Sequence, residues 1–569
     1  SLTDRAIREG LQHLRPGNDY DNLYLSANAR SEADWIVGIN ASQALAVAAG
    51  RGVWSLGRGQ TPTLAIICSR YLENKAFKPA TYFRLKLSTA KEGTEFTVLS
   101  TEKFDGREKA EAARAEVIGV RTVRVVNVER KEAREQPPLL YDLTTLQKEA
   151  NSRYGFSAEK TLDIAQSLYE KKFITYPRTG SRYISEDVAE EIPALIGNMT
   201  RYPRFAEYAG RMDTASLSRR SVDNEKIADH HALLPTREIT RYDFSRLPED
   251  CWNVLSLVAI RLLLAVSPVN VSDTVTAVLE CGGREFTARG KTTVQGGWKQ
   301  LESAIKANLK GLVKDDDEDS DEPSGVLPPL SEGAEITVKS VKPLEHKTTP
   351  PKRYTEDMLL SAMERAGSDS YSDDDDVEKK GLGTPATRAA IIETLVKRQY
   401  VERKGKQLIP TDKGIRVINV VPDKVKSPAM TAEWESTLQK IARGEADDQQ
   451  FLREMTEFTR QLIKDNSGET TRENNPFRFS RLPLVGKCPV CGKNVYEFQK
   501  SYSCEDSRGA CGFFFMKEKF GKEITPTQAK RILEKGSSIV LKGFTAQDGS
   551  TYSGKLVLVD GKVRVEREK

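Results

Sequence analysis

The chain has 569 residues, of which 38% are hydrophobic and 30% charged, with a formal net charge of +5 and an isoelectric point of about 8.6. This length exceeds what one core fills, so we expect roughly three to five domains. The seven cysteines, four of them clustered near the C-terminus, are not the even framework of a secreted disulfide protein. The first residues show no secretory signal, and the longest apolar run, 254–266, contains Arg261 and is too short for a bilayer. These features predict a cytoplasmic protein with no membrane segment.

The acidic residues are unevenly placed along the chain. Runs at 315–322 and 373–376 hold many of them, and the rest of the chain is distinctly basic. A basic surface suits a polyanion such as nucleic acid, whereas a solvated lysine and arginine exterior has the same composition. Charge alone therefore leaves both interpretations open.

The first half of the chain alternates between helical and strand patterns. Residues 1–70 have helical periodicity, and Ser31 followed by an apolar run predicts a helix start at that point. Short alternating stretches within 81–128 predict strands. A proline pair at 137–138 marks a boundary, after which the pattern over 141–266 is helical again.

Strand patterns return at 274–289 and 334–341, so the simplest arrangement is one β-rich domain interrupted by a helical insertion. The acidic tract 314–325 has too few apolar residues to fold and is predicted to be a mobile loop. Residues 351–465 are helical. The chain from 473 onward is predicted to begin with a loop and continue as a small, separable module that contains cysteines.

Tyr176 is the most informative residue of the sequence. It lies between a strand-like Phe-Ile-Thr and a Pro-Arg turn, so its ring is held beside the fixed positive charge of Arg178. Upstream, Leu162, Leu168 and Tyr169 at helical spacing predict a helix that positions this segment. A phenol ionises near pH ~10 and attacks phosphorus at neutral pH only where cations stabilise the phenolate and the phosphorane. The pattern is typical of a phosphodiester-attacking nucleophile, and a half-buried turn tyrosine is the alternative.

Three segments around Tyr176 resemble the active-tyrosine domain of type IA DNA topoisomerases in order and spacing. They are LTTLQ at 143–147, AQSLYE at 165–170 and ITYPRT at 174–179. Other segments that resemble the family are ADWIVG at 33–38, GRGQTPTL at 57–64, DHHALLPT at 229–236, GLGTPATR at 381–388 and TAEWE at 431–435. The resemblance runs from residue 1 to about residue 465 and is closest to the topoisomerase III branch.

The resemblance implies an α+β multidomain fold, a toroid of helical and winged-helix-like domains with a β-rich arch, followed by a small C-terminal module that contains cysteines. It implies an ATP-independent enzyme that cuts one DNA strand through a 5′-phosphotyrosine, passes another strand through the gap and reseals the cut. Single-stranded DNA is then the substrate of a monomeric, nucleoid-associated protein, with a helicase as a candidate partner.

The expected domains follow the same resemblance. They are a first helical part of the gate and strand-binding region at 1–70, a first part of the arch at 71–138, the active-tyrosine domain at 139–268, a second part of the arch at 269–350, a second helical part at 351–472 and a zinc-ribbon-like module at 473–569.

The resemblance also assigns roles to matching residues. It implies that Tyr176, Arg178 and His230 are catalytic, and a histidine that titrates near neutrality can hold the scissile phosphate or relay a proton. The residues implied to bind DNA are Arg30, Asp34, Arg58, Gln60, Gln166, Thr384 and Arg388. The adjacent His230 and His231 also raise the question of a metal, but neighbours in a strand point to opposite faces and no carboxylate cluster joins them.

The DNA-binding residues have physical reasons of their own. Arg30 and Asp34 are four apart and share a helix face, where they can form an edge along a single-stranded backbone; a surface ion pair is the alternative. Arg58 and Gln60 are flanked by glycines that let the backbone approach a phosphate, or they belong to an ordinary helix-start turn. Thr384 can cap a helix whose free N-terminus attracts phosphate, and the chain that follows resembles a winged helix or, equally, a helical hairpin with a β-wing.

Four cysteines near the C-terminus have part of a metal-site pattern. Cys488 and Cys491 have zinc-knuckle spacing, and four thiolates can hold Zn²⁺ tetrahedrally. Cys504 and Cys511 are separated by six residues, which is wider than the usual two to four. Related modules have often lost their ligands, so a zinc site and a metal-free module both stay open. The phenylalanines at 513–515, with the lysines that follow, can stack on single-stranded DNA or form a tiny core.

Two departures from the family pattern limit what is carried over. Gly180 stands where many relatives have an acidic residue, so that carboxylate has no counterpart here. The family normally opens with a Toprim domain whose acidic cluster holds Mg²⁺, and no such cluster backed by an apolar strand occurs in this sequence. We therefore expect a fragment in which resealing is lost and cleavage weakened, while strand binding through Arg30, Arg58 and Arg178 survives.

Two other functions compete with this interpretation. A single-stranded DNA-binding fragment without turnover differs only in that Tyr176 never forms a covalent bond. A site-specific tyrosine recombinase would link to the 3′ end of the cut and would need several dispersed arginine and histidine ligands around its nucleophile.

Overall fold

The computed structural model describes residues 8, 10–49, 54–202, 204–227, 230–238, 246–308, 324–325, 327–367, 381–467, 483–507, 511–546 and 548–568. A short 3₁₀ helix spans Gly17–Tyr20. The α-helices in chain order are α1 Asp21–Ala49, α2 Gln60–Ala76, α3 Arg107–Val117, α4 Leu143–Tyr154, α5 Ala158–Glu170, α6 Glu186–Met199, α7 Ala206–Gly210, α8 Glu249–Ala265, α9 Gly297–Asn308, α10 Glu356–Arg365, α11 Pro385–Lys397, α12 Asp412–Val420, α13 Asp423–Lys426, α14 Pro428–Ala442, α15 Asp448–Ser467 and α16 Pro526–Lys535.

The strands in chain order are β1 Thr81–Lys91, β2 Thr94–Ser100, β3 Thr122–Glu135, β4 Asn270–Cys281, β5 Arg284–Gln295, β6 Ser324–Gly325, β7 Glu335–Lys347, β8 Val401–Lys404, β9 Gln407–Pro410, β10 Leu484–Lys487, β11 Asn494–Glu497, β12 Ser501–Cys504, β13 Phe514–Met516, β14 Glu518–Lys519, β15 Lys522–Glu523, β16 Leu541–Thr545, β17 Thr551–Val559 and β18 Lys562–Arg567. The mixed helix and strand content confirms the predicted α+β class.

The chain divides into two compact units. The first comprises Ser1–Asn28, Gly59–Gly414 and Asp423–Asp448, and the second comprises Ala29–Arg58, Ile415–Pro422 and Gln449–Lys569. The six-part domain division drawn from the sequence stays a prediction.

Strands from both sides of the helical insertion form one sheet in the first unit. The order is β2-β1-β7-β3-β4-β5-β6, and β5 also pairs back with β2 at Leu99↔Thr287 and Ser100↔Phe286, which closes six strands into a ring. Alternate residues of β1 are buried, as the period of two requires, and Phe286 is fully buried in the ring's core. The small residues of α3 pack on β1 and β7.

Helices α4 to α8 form the core that carries Tyr176. The centre is α8, which is buried on nearly every face and contains the apolar run predicted to be a buried helix. Over the described residues, none of the helices combines the length and the apolar character needed to span a bilayer.

Two local predictions are wrong. Ser31 does not start a helix, because α1 runs continuously from Asp21; an exposed serine is tolerated inside a helix, where its capping signal has no effect. In the acidic tract, residues 324–325 form β6, which pairs in parallel with β5, instead of a loop. Residues 314–323 of that tract, the second acidic run at 373–376 and the loop expected from 473 to 482 lie outside the described residues.

The second unit contains the small antiparallel sheets β10-β11-β12-β13 and β16-β17-β18, and the two-stranded sheet β14-β15. Between β15 and β16, α16 begins at a capping box formed by Thr525 and Gln528, and Gly536 ends it with a φ of +74°. The fully buried Tyr502 and Phe544 belong to the shared core of these sheets.

One buried carboxylate of the first unit joins three elements. Glu356, at the start of α10, is 3% exposed. Its Oε2 accepts a hydrogen bond from Ala158 N (2.7 Å), at the start of α5, and its Oε1 accepts one from Arg403 Nε (2.7 Å), on β8. Arg403 also pairs with Glu393 of α11. Loss of the carboxylate would leave a partly buried guanidinium with one partner fewer and a buried N–H without its acceptor.

We therefore expect Glu356→Ala to lower the free energy of unfolding by about 3 kcal/mol, seen as a lower melting temperature in differential scanning calorimetry. The control is Glu433→Ala on α14, an exposed glutamate of the same unit, which should change stability by less than about 0.5 kcal/mol. Equal melting temperatures for the two variants would contradict the structural role of Glu356.

Candidate active site

The segment that carries Tyr176 begins where α5 ends. Ser157 caps the start of that helix by accepting a hydrogen bond from a backbone N–H of its first turn (3.1 Å). Beyond its last residue, Lys172 adopts a φ of +63°, a left-handed conformation that reverses the chain. Phe173 N then donates to Leu168 O (2.8 Å), which secures the reversal.

The residues before Tyr176 are held by a second extended segment from much later in the chain. Thr175 N donates a hydrogen bond to Leu234 O, and Leu234 N donates one to the Thr175 hydroxyl; both donor–acceptor distances are 3.0 Å. Ile174 and Pro235 form a single antiparallel bridge. The strand-like stretch expected here is only a bridged extended segment, because Pro235 has no N–H with which to continue a ladder.

The half-buried Tyr176 ring contacts two other aromatic rings. The His230 ring centroid is 4.5 Å away at an interplanar angle of 50°, and the Tyr169 centroid is 5.3 Å away at 77°. Thr179 donates its hydroxyl to His230 O (2.9 Å), which fixes the backbone that carries the histidine. The structure therefore places two of the predicted catalytic residues, Tyr176 and His230, in direct contact.

Arg178 extends an exposed side chain two residues after Tyr176. The backbone beside it is anchored, since Thr179 O accepts a hydrogen bond from Leu143 N (3.0 Å), at the start of α4. Asp142 caps α4, and burial raises the pKa of its carboxyl. A guanidinium in this position is open to a phosphate, and the backbone that carries it is fixed.

The two adjacent histidines have different surroundings. His231 Nδ1 lies 2.7 Å from Ala232 O, and burial lowers the pKa of the His231 imidazole below its ordinary value of 6.5. His230 contacts Tyr176 instead. In the part of the chain that the structure describes, the side chains grouped closely enough to share a metal ion are four cysteines far along the sequence, not these histidines.

Gln60, Gln166 and Thr384 lie in the first unit and were implied to bind DNA. Gln60 is the first residue of α2, and Gln166, on α5, donates from Nε2 to Glu170 Oε1 (3.1 Å). Thr384 is the N-cap of α11 in a capping box with Thr387. Thr384 therefore caps this helix, as its sequence context predicts.

Arg388, also implied to bind DNA, is buried. Its side chain lies between α11 and α4, where Nη1 donates to Thr144 Oγ1 (3.0 Å) and approaches Glu364 Oε1 at 3.5 Å. Glu364 also pairs with Lys148 of α4 (3.1 Å). In this conformation the guanidinium joins α11 to α4 and α10, so a phosphate reaches it only if these contacts open.

The remaining implied DNA contacts lie in the second unit. Arg58 Nε donates to Asp34 Oδ1 at 2.9 Å, and Arg58 Nη2 donates to Asp34 Oδ2 at 3.1 Å, so this ion pair is bidentate. Arg30 lies one turn before Asp34 on α1 and is half-buried. Trp35, next to Asp34, is 65% exposed, which is unusual for a tryptophan.

Cys488, Cys491, Cys504 and Cys511 converge in the second unit. Their sulfur atoms all lie within 4.8 Å of one another, and the Cys488–Cys511 and Cys491–Cys504 pairs are each 3.5 Å apart. A tetrahedral Zn²⁺ site with Zn–S bonds of about 2.3 Å separates its sulfurs by roughly 3.8 Å. The wide Cys504–Cys511 spacing is no obstacle, because Cys504 N donates to Phe513 O (3.0 Å) and returns the chain to the cluster. These residues fit a metal ion.

The sequence pattern of a family described as DNA topoisomerase matches residues 18–453. The chain belongs to this family. It is 36% identical to DNA topoisomerase 3 of Bacillus licheniformis over 504 residues, and the match covers 87% of this chain and 67% of the relative. DNA topoisomerase 3 of Bacillus subtilis is also 36% identical, over 508 residues with the same coverage. The resemblance to type IA topoisomerases, close to topoisomerase III, is therefore confirmed.

A solved structure supports the topoisomerase fold. Full-length topoisomerase I from Thermotoga maritima superposes with a TM-score of 0.63 over 99% of this chain and 81% of that chain, at 24% sequence identity. A second pattern, described as the C-terminal repeat of topoisomerase, matches residues 510–567. The C-terminal module of this topoisomerase thus contains both the cysteine cluster and a family repeat.

The phenylalanines of the topoisomerase's C-terminal module divide between its core and its surface. Phe513 and Phe515 are buried, whereas Phe514 is 56% exposed. Lys517 pairs with Glu497 (2.5 Å), and Lys519 donates to Val563 O. Two of the three rings therefore belong to the tiny core, and Phe514 is the one available for stacking.

Two residues near the nucleophile of this topoisomerase were not singled out from the sequence. Tyr169 was noted only as part of a helix face, although its ring contacts Tyr176. Thr179 holds His230 through its hydroxyl. The sequence contains a signal for the contact of Tyr169, because an aromatic residue stands in the last helical turn before the nucleophile. The contact of Thr179 with His230 joins residues 51 apart, and no local sequence pattern indicates it.

The lowered pKa of His231 gives this topoisomerase a pH-dependent stability. Below pH 6.5 the unfolded chain binds a proton that the buried imidazole takes up only at lower pH, so stability should fall as the pH drops below about 6.5. In His231→Gln this fall should be smaller, measured by urea denaturation at pH 7.5 and 5.5. The exposed His13 provides the control, since His13→Gln should keep the wild-type fall. An unchanged fall in His231→Gln would refute the role of burial.

Proposed function

We propose that this chain carries the strand-cleaving groups of an ATP-independent topoisomerase of the III class that acts on single-stranded DNA, with Tyr176 as the nucleophile. The observation that carries the proposal is the Tyr176 ring held against His230, close in sequence to the exposed Arg178. A fixed phenol, an imidazole in contact with it and an accessible guanidinium are groups suited to attack on a phosphodiester.

In the proposed cleavage step, the Tyr176 oxygen forms a bond to phosphorus and the bond from phosphorus to O3′ breaks. The phenol loses its proton, and the departing O3′ takes one up, so the strand ends as a 5′-phosphotyrosine and a free 3′-hydroxyl. Resealing is the reverse step. Because one phosphoester replaces another, the energy of the broken bond is kept and ATP is not needed.

Each side chain has a part in that step. Arg178 stabilises the negative charge that builds on the phosphorane oxygens, for which a guanidinium fork is well shaped. His230 holds the scissile phosphate or relays the proton that leaves the phenol. The Tyr176 ring is held by its contacts with the rings of Tyr169 and His230.

The strand itself is bound through its backbone. In the proposal, the residues that contact it are Arg30, Asp34, Arg58, Gln60, Gln166 and Thr384. Arg388 joins them only when its pairing with Thr144 and Glu364 opens. Contacts to phosphate position a strand without reading its sequence, and they weaken as salt rises. A cytoplasmic, nucleoid-associated monomer, with a helicase as a candidate partner, belongs to the same proposal.

Two metal ions enter the proposal differently. In the proposal, Mg²⁺ is held by the acidic Toprim domain of the full-length enzyme. This ion prefers oxygen ligands, whereas the side chains that cluster in the described residues offer sulfur and do not fit it. The four cysteines suit Zn²⁺, which would cross-link the loops of the C-terminal module and stabilise its fold.

The covalent step predicts the behaviour of Tyr176→Phe. When the chain is incubated with a single-stranded oligonucleotide and denatured, the wild type should hold the 3′-labelled fragment covalently, because the protein joins the 5′ end of that fragment. Tyr176→Phe should reduce this adduct at least about 100-fold, since no other oxygen replaces the nucleophile. Its dissociation constant for the same oligonucleotide, measured by fluorescence anisotropy, should stay within about two-fold.

Tyr183→Phe is the matched control, because Tyr183 is half-buried, lies in the same segment and stacks under Lys226 instead of touching Tyr176. It should form adducts at the wild-type level. Retention of the 5′-labelled fragment would indicate recombinase-type linkage, and an adduct on another side chain would overturn the proposal. Binding without any adduct would support the strand-binding function without turnover.

The zinc proposal predicts that the protein, purified without chelators, contains about one Zn²⁺ per chain when its metal content is measured by inductively coupled plasma mass spectrometry. Cys491→Ser should lose most of that zinc and make the C-terminal module more sensitive to proteolysis, because three thiolates hold the ion less tightly. Cys251→Ala, which changes a buried cysteine outside the cluster, should retain the zinc. A zinc-free wild type whose proteolysis is unaffected by added Zn²⁺ would rule out the site.

A further inference from the structure

Tyr169 contacts the nucleophile although the chemistry described above does not use it. Its ring lies in the last turn of α5 with its centroid 5.3 Å from that of Tyr176, and the planes meet at 77°. Its body packs against the buried core of α4 to α8. The Tyr169 ring, anchored in the core, therefore contacts the Tyr176 ring, whose position the cleavage step requires to be fixed.

The backbone of Tyr169 is part of the same support. Its carbonyl accepts a hydrogen bond from Lys172 N (2.8 Å), the residue whose left-handed conformation reverses the chain toward Tyr176. Tyr169 thus limits both the path of the chain into the nucleophile and the space in which the phenol ring can turn.

Two rings contact Tyr176 at different angles. The His230 ring is tilted at 50° and the Tyr169 ring is nearly perpendicular at 77°, and each occupies space into which the phenol would otherwise turn. Edge-to-face aromatic pairs are favourable beyond the area that they bury. Attack on phosphorus needs the oxygen in line with the leaving group, and a displacement of about 1 Å costs on the order of 100-fold in rate.

We propose that Tyr169 is a positioning residue for the cleavage step, holding the Tyr176 phenol at the angle of attack without touching DNA. This inference rests on the proposed role of Tyr176 as the nucleophile. The ring edge carries the effect and the Tyr169 hydroxyl does not, so phenylalanine should replace it and an aliphatic side chain should not.

The test compares Tyr169→Leu with Tyr169→Phe in single-turnover cleavage of a single-stranded oligonucleotide by the full chain. Tyr169→Leu should slow adduct formation at saturating DNA roughly 10- to 100-fold, with the dissociation constant for DNA within about two-fold of wild type. Tyr169→Phe should keep at least about one third of the rate. A loss of affinity with an unchanged rate at saturation would overturn the positioning role.

Tyr154→Leu is the matched control, since Tyr154 is another partly buried tyrosine on the same core and forms a similar ring pair with Phe156, at 5.4 Å. It makes the same chemical change away from Tyr176 and should leave the rate within about two-fold. If both leucine variants slow cleavage equally, Tyr169 is only part of the core and the inference is wrong.

A second readout does not depend on cleavage. In protein labelled with 3-fluorotyrosine, the ¹⁹F resonance that disappears in Tyr176→Phe identifies the nucleophile. That resonance should shift in Tyr169→Leu and stay in place in Tyr154→Leu, because ring currents act only over a few ångströms; no shift in either variant would refute the contact. If Tyr176→Phe still forms adducts, the proposed function fails. If Tyr176→Phe forms none but Tyr169→Leu behaves as Tyr154→Leu, only the present inference fails.

Discussion

The hydrogen bonds between the two extended segments around Tyr176 and His230 are the constraint on which the whole site depends. Thr175 and Leu234 exchange hydrogen bonds, and Thr179 binds the carbonyl of His230 across 51 residues of sequence. Each such bond contributes only about 1 kcal/mol, but an unpaired group left in this half-buried region would cost more. The nucleophile and the histidine therefore share one frame, and neither can shift without breaking bonds that the other needs.

The fold was predictable where the sequence carries a local period. The alternation in β1 and the apolar run of α8 indicated a strand and a buried helix, and Thr384 caps α11 as its neighbours predict. Ser31 misled because a capping residue type also occurs inside helices, where only tertiary packing determines that the helix continues.

The candidate site was predictable as residue types but not as contacts. Tyr176 and His230 were recognisable from their motifs. The contact between the Tyr169 and Tyr176 rings was not, because it depends on the direction of the Tyr169 side chain, which residue spacing does not specify. Arg388 shows the same limit, since the family resemblance implied a contact with DNA, and the structure pairs it with Thr144 and Glu364. A carboxylate and a phosphate can bind the same guanidinium group of an arginine, and the sequence alone does not specify which of them does so.

The closed ring of strands has a weak seam. Strand β1 pairs with β7 over most of its length, whereas β2 meets β5 at only two residue pairs, Leu99↔Thr287 and Ser100↔Phe286. Those two pairs cover only the end of β2, where unpaired backbone groups would otherwise be open to pairing with strands of another molecule. These two residue pairs thus limit self-association at that point of the ring of strands, and their amides are where native-state exchange with deuterium should begin.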